Sequence, residues 1–190
     1  MPYLTAAVAL VGVVAIFTLL LVIALARRIR ALGTPTGNQP STAIEVLIGT
    51  KPASFHADVI SGGSGGTVSL DGLSGNPALI GFFLAGCTPC NRQLPAFIEL
   101  AKTIPGGRGQ VVAVVTGPPE KVTEYAARLA GVASVVQESP RGDAGTITAA
   151  FSVAGWPCYY LLDPMGTIES SASSLASLAV PAAATAGKSR

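Results

Sequence analysis

The chain has 190 residues, of which 49% are apolar and only 12% charged, and its mean hydropathy of +0.55 is too high for a purely soluble protein. A formal net charge of +2, with no basic stripe, argues against a nucleic-acid partner. Three cysteines are too few to staple a scaffold, and two of them stand at Cys-x-x-Cys spacing, which points to redox chemistry instead.

Residues 4–26 carry no charged side chain and no strong helix breaker. At about 1.5 Å per residue this stretch spans roughly 34 Å as a helix, enough to cross a hydrocarbon core. Arg27, Arg28 and Arg30 follow and would sit among headgroups. Ala24-Leu25-Ala26 has the small residues of a signal-peptidase site. The missing basic n-region and the length of the apolar run favour an uncleaved anchor, and the absence of a polar face argues against a buried core helix. The positive-inside rule, applied to the three arginines, puts the following domain in the cytoplasm. Residues 1–30 therefore read as an anchor with a basic flank. Residues 31–43, with Gly33, Pro35, Gly37 and Pro40, read as a flexible linker.

The folded domain is expected at 44–178. Strands are expected at 55–60 and 67–70, joined by the glycine-rich turn at 62–66, and Phe55 should plug the core edge. The apolar run at 79–84 reads as a buried strand leading into Cys87-Thr88-Pro89-Cys90. After it, Leu94, Phe97, Ile98 and Ala101 form one stripe of a helix that Pro95 interrupts and Pro105-Gly106-Gly107 ends. The β-branched run at 111–115 predicts a strand covered on both faces. Pro118-Pro119 introduces a helix with Val122, Tyr125, Ala126 and Leu129 on one face and a Glu124/Arg128 pair on the other. A strand at 132–137 and a short helix reaching Phe151, capped by Asp143, come next. Strands at 159–162 and 167–169 flank a hairpin turn at Asp163-Pro164-Met165-Gly166. A terminal helix reaches Leu178, and 179–190 read as a disordered tail. Strands alternating with helices and closed by a hairpin give an α/β fold with a mixed sheet.

Cys-x-x-Cys alone serves either a redox centre or half a metal site. Its setting here is a buried strand, a tight turn and a helix start, followed far downstream by Gly155-Trp156-Pro157. Together with the opening segment Gly49-Thr50-Lys51-Pro52-Ala53-Ser54-Phe55, Pro95 and Asp163-Pro164-Met165-Gly166-Thr167-Ile168, this ordered set resembles the thioredoxin superfamily. The closest likeness is its membrane-anchored TlpA/ResA/MauD-like branch of redoxin domains. The resemblance implies a thioredoxin-like fold behind a single transmembrane helix, and a thiol–disulfide oxidoreductase. It also implies a cis Trp156–Pro157 peptide beside the cysteines, with the Trp156 backbone offered to an incoming partner and the Pro157 ring keeping metal off the pair. It places the domain outside the cytoplasm, against the reading of the arginines, on a single-pass protein of the cell membrane.

Three positions depart from the family pattern. Gln93 stands where the branch often has an acid, Gly81 stands where thioredoxins have a buried acid, and Cys158 follows the cis-proline candidate in place of a small polar residue. No side-chain carboxylate is thus placed to accept the proton of Cys90.

Position on the helix assigns the chemistry. Cys87 at the helix mouth is the expected nucleophile, and Cys90, one turn in, the resolving thiol, with Thr88 and Pro89 fixing the turn. Cys158 reads first as a small buried hydrophobe and second as an accessory thiol. Trp156 reads as a lip of the active-site groove, with core filler as the plainer alternative, and His56 as a surface residue. No cofactor is expected beyond the Cys87–Cys90 pair, no metal, and no nucleic acid. The expected partners are protein dithiols or disulfides and an upstream thiol reductant, with membrane contact through 4–26. Two other functions compete. A peroxidase of the peroxiredoxin type would want a threonine three residues ahead of its reactive cysteine, where Leu84 stands. A copper-delivery or other thiolate metal module would need Cys158 brought to the pair, and His56 is the only histidine.

Overall fold

A computed structural model describes Gly12 and residues 48–61, 66–139, 143 and 146–180. The chain divides into two units, Met1–Gln39 and Pro40–Arg190, and the fold is that of the second. Apart from Gly12, the expected span at 4–26 lies outside the described residues, as do the linker at 31–43, residues 62–65 of the glycine-rich turn and the tail from 181 onward. Among the described residues no helix is long and apolar enough to cross a membrane.

Among the described residues there are seven strands: β1 (His56–Val59), β2 (Gly66–Ser69), β3 (Ala78–Leu84), β4 (Val111–Thr116), β5 (Ser134–Glu138), β6 (Cys158–Leu162) and β7 (Ile168–Ala172). They form one sheet in the order β2-β1-β5-β4-β3-β6-β7. β3, β4 and β5 are parallel to one another, β6 pairs antiparallel with β3, and the two ends of the sheet are hairpins. Within the described residues of this unit the α-helices are α1 (Thr88–Ala101), α2 (Pro119–Leu129) and the short α3 (Ile147–Ala150).

The side-chain alternation of the strands divides the core in two. Leu79 and Phe83 of β3, Ala113 and Val115 of β4, and Tyr159 and Leu161 of β6 pack under α1 and α2. Ile80 and Phe82, Val112 and Val114, and Cys158 and Tyr160 pack on the other face with Phe55, Ile147 and Phe151. Coverage of both faces explains why β3 and β4 are apolar at nearly every position. Phe55 is buried as expected, and His56 is exposed on β1.

Several boundaries differ from the sequence expectation. The amides of Val132 and Ala133 bond back to the Leu129 carbonyl, so the end of α2 delays β5 until Ser134. α1 stops at Ala101, and the turns closed by Thr103 and Ile104 carry the chain on towards Pro105. Asp143 does not cap α3. Thr146 does so through its hydroxyl, which accepts from the Ala149 amide at 3.2 Å, while the Asp143 carbonyl accepts from Thr146. The expected terminal helix is a 3-10 turn at Leu175–Ser177. The Ser170 hydroxyl donates to the Ala179 carbonyl at 2.6 Å and Val180 packs against the core, so packing continues past Leu178. Among the described residues the ion pair that closes is Glu99–Lys102, at 2.7 Å on the exposed face of α1, rather than Glu124–Arg128.

Candidate active site

The connection from β3 to α1 fixes where the cysteines lie. Leu84, the last residue of β3, offers its carbonyl to the Cys87 amide at 3.1 Å, closing a turn whose Gly86 has φ +90°. A side chain at Gly86 would be strained in that conformation. The turn is held to the sheet by the Ala85 amide, which donates to the Thr116 carbonyl at 2.8 Å. It is also pressed against the β4–α2 loop, where a Cβ on Gly117 would lie 2.7 Å from that of Ala85.

Cys87 is the N-cap of α1. Its Sγ accepts from the Cys90 amide at 3.4 Å, the bond an N-cap serine or aspartate oxygen ordinarily makes. Thr88 and Pro89 occupy the first two helical positions and are exposed. Proline costs nothing there, because the amide it lacks would have no helical partner. Cys87 is half-buried, whereas Cys90 is fully buried. All three cysteines are free thiols in this structure. Burial pushes the Cys90 thiol up to about 12, and its hydrogen bond with Cys87 adds to the effect.

Trp156 and Pro157 stand at the same end of β3 as Cys87, because the antiparallel register sets Cys158 opposite Phe82. The Trp156–Pro157 peptide is cis. Pro157 is buried, and Trp156 is half-buried and packs against both halves of the core. Cys158 lies in the half that faces away from α1, with burial pushing its thiol well up. Among the described residues no three His, Cys, Asp or Glu side chains come together as a metal site.

The absent carboxylates have a structural account. A Cβ on Gly81 would lie 2.6 Å from Cε2 of Phe97 and 2.9 Å from Cε2 of Phe83, so aromatic rings fill the place a buried acid would need. Gln93 is spent on the chain end, its Oε1 accepting from the Leu175 amide at 2.9 Å and its Nε2 reaching the Ser173 carbonyl at 3.4 Å.

Two residues escape the sequence reading. Glu138 is buried at the end of β5, and its carboxylate accepts from the Ile147 and Thr148 amides at 2.7 and 2.8 Å. The signal for it was a charged residue ending an apolar strand shortly before a helix start. Tyr125 faces the cysteines, and its hydroxyl donates to Asn91 Oδ1 at 2.6 Å. Burial, followed by the neighbouring Cys90 and Cys87, pushes that hydroxyl up to about 12.

A parallel sheet core with an antiparallel hairpin, a Cys-x-x-Cys pair at a helix N-terminus and a cis-proline beside it define a redoxin domain of the thioredoxin superfamily, an oxidoreductase class. The sequence matches the AhpC/TSA family over residues 48–171, and the chain belongs to that family. Two solved structures share its fold. A thioredoxin-like protein from Neisseria meningitidis is 23% identical, with a TM-score of 0.51 over 64% of this chain and 77% of that one. A protein-disulfide-isomerase-like protein from Bacteroides thetaiotaomicron is 22% identical, with a TM-score of 0.51 over 66% and 77%. No curated protein sequence matches the chain significantly.

Proposed function

We propose that this chain is a membrane-anchored thiol–disulfide oxidoreductase, working as a disulfide reductase on protein partners through Cys87 and Cys90. The observation that carries the reading is the asymmetry of the pair: a half-buried sulfur capping the helix, and a fully buried thiol one turn behind it. In the cycle the Cys87 thiolate attacks one sulfur of a substrate disulfide and expels the other as a thiolate, leaving a mixed disulfide. Cys90 then attacks Cys87. The Cys87–Cys90 bond forms, the substrate's second sulfur leaves and takes up a proton, and the two electrons gained by the substrate come from the dithiol. An upstream thiol reductant restores it.

Thr88 and Pro89 keep the turn short, and Trp156 and Pro157 form the wall beside the pair. No further cofactor enters, because the dithiol is itself the redox group. Cys158 serves as packing. Residues 4–26 anchor the chain in the cell membrane. The family likeness favours an extracytoplasmic domain and Arg27, Arg28 and Arg30 a cytoplasmic one, so protease treatment of intact cells decides: digestion supports the first and protection the second.

With dithiothreitol as reductant, the full-length chain should reduce a protein disulfide, and Cys87→Ser should abolish this. A wild-type chain that performs no exchange but consumes peroxide, or retains stoichiometric copper or zinc, would overturn the reading. The peroxidase outcome is the main rival, given the AhpC/TSA membership. Against it, the half-buried apolar side chain of Leu84 occupies the place where that chemistry wants a hydroxyl.

A further inference from the structure

Resting on that reading, we propose that the hydroxyl of Tyr159 donates a hydrogen bond to the sulfur of Cys90 as charge develops there during resolution. Tyr159 is the register partner of Gly81, the position too crowded to carry an acid. Its ring is held on the side of the sheet that carries Cys90. It stacks on Phe97 of α1 at a centroid distance of 6.0 Å, and Phe83 meets it edge-on at 5.8 Å. The residue is fully buried, and its hydroxyl has no hydrogen-bond partner among the described residues.

The other two buried tyrosines differ on this point. Tyr160 donates to the Phe151 carbonyl at 3.2 Å, and Tyr125 to Asn91 at 2.6 Å. A buried hydroxyl left unpaired is costly, so one that persists calls for an explanation. At rest no hydrogen bond joins the Tyr159 hydroxyl to the Cys90 sulfur, and the charge that develops there during turnover draws the hydroxyl in as a partner.

The groups that act on Tyr159 are Cys90 and Cys87 of α1, Tyr125 of α2 and Cys158 of β6 itself, with no carboxylate among them. Glu124 and Arg128 act one step further out, on Tyr125. Burial, and then Cys90, push the Tyr159 hydroxyl well up. It therefore keeps its proton and acts as a donor, not a base. When Cys90 attacks the Cys87–substrate disulfide, its own proton passes to the departing substrate thiolate or to water. Tyr159 shares its proton with the Cys90 sulfur and retains it, which makes it a positioning residue for the resolving step.

The test separates the two steps in the full-length chain by rapid mixing with a small disulfide such as oxidised glutathione, across the range from about pH 6 to about pH 10. Tyr159→Phe should leave attack by Cys87 unchanged and slow resolution about tenfold or more near neutral pH, the loss expected for a hydrogen bond to a charged group. Its resolution profile should shift to higher pH. Tyr160→Phe removes the other β6 hydroxyl and should move neither step. A resolution profile in Tyr159→Phe that coincides with wild type overturns the role, as does a loss spread equally over both steps with no change in pH dependence. If Tyr159→Phe does not fold, 3-fluorotyrosine at that codon, with a more acidic hydroxyl, should speed resolution and shift its profile to lower pH, and an unmoved profile overturns the role. A wild type that never forms the mixed disulfide ends the functional reading and the role of Tyr159 with it. A normal first step with an unmoved resolution profile ends the role of Tyr159 alone.

Discussion

β6 presents Tyr159 to the side of the sheet covered by α1 and α2, and Cys158 and Tyr160 to the side covered by Phe55, Phe151 and α3. Both sides bury a thiol and a tyrosine. On the second side Tyr160 is satisfied by the Phe151 carbonyl, and Cys158 is enclosed in the half of the core that faces away from α1. On the first, Cys90 sits one turn behind an accessible sulfur, and the Tyr159 hydroxyl is unspent. On the proposed function, burial alone therefore does not distinguish a working thiol from a packed one. The helix start and the free hydrogen-bonding capacity beside it do.

The sharpest way to break this comparison is to remove the thiols in turn. Cys87→Ser should abolish disulfide reduction, whereas Cys158→Ala should retain it within about twofold and cost about 1 kcal/mol of stability, the scale of a small core truncation. Equal loss of activity in both variants would show that the two sides of the sheet are not functionally distinct.

Next in size is the aromatic filling at Gly81. Gly81→Asp, which supplies the missing acid, must displace Phe97 and Phe83. It should cost at least about 3 kcal/mol, since overpacking and burial of a charge act together. Chemical denaturation would report it, and a stable, faster enzyme would contradict the account. On the other side of the sheet, Glu138→Ala leaves the Ile147 and Thr148 amides unpaired and should cost about 3 kcal/mol by the same measurement.

The smallest effect concerns pH. Cys90 and Cys158 ionise near their ordinary value of 9.0 when unfolded and higher when folded. The folded chain thus holds more protons above that pH, so stability is full below about pH 9 and falls as pH rises, by about 1 kcal/mol per unit for each buried thiol. Oxidising Cys87 and Cys90 removes one of the two contributions. Melting curves of the reduced chain should therefore steepen with pH more than those of the oxidised chain, and equal slopes would show that Cys90 is not buried as described.

What the sequence made legible is what local pattern controls. The apolar runs of β3 and β4, the stripe Leu94, Phe97 and Ala101, the hairpin at Asp163, and the cysteine pair at a helix start all follow from periodicity and turn chemistry. The absence of an acid at Gly81 was legible too, but its cause was not, because Phe97 reaches that position only through the packing of α1 on the sheet. The cap of α3 was misread because Asp143 and Thr146 are both good caps three residues apart, and a carboxylate from a neighbouring strand takes the remaining amides. Tyr159 and Tyr160 are indistinguishable in sequence. Only the strand register shows that one faces Cys90 and the other the far side of the sheet.

The most direct test of the division of labour between the cysteines uses Cys90→Ser in the full-length chain, mixed with a protein disulfide and examined by intact-mass and peptide mass spectrometry. The account predicts an accumulating mixed disulfide located on Cys87, with Cys158 unmodified. No adduct, or one on Cys158, would contradict it.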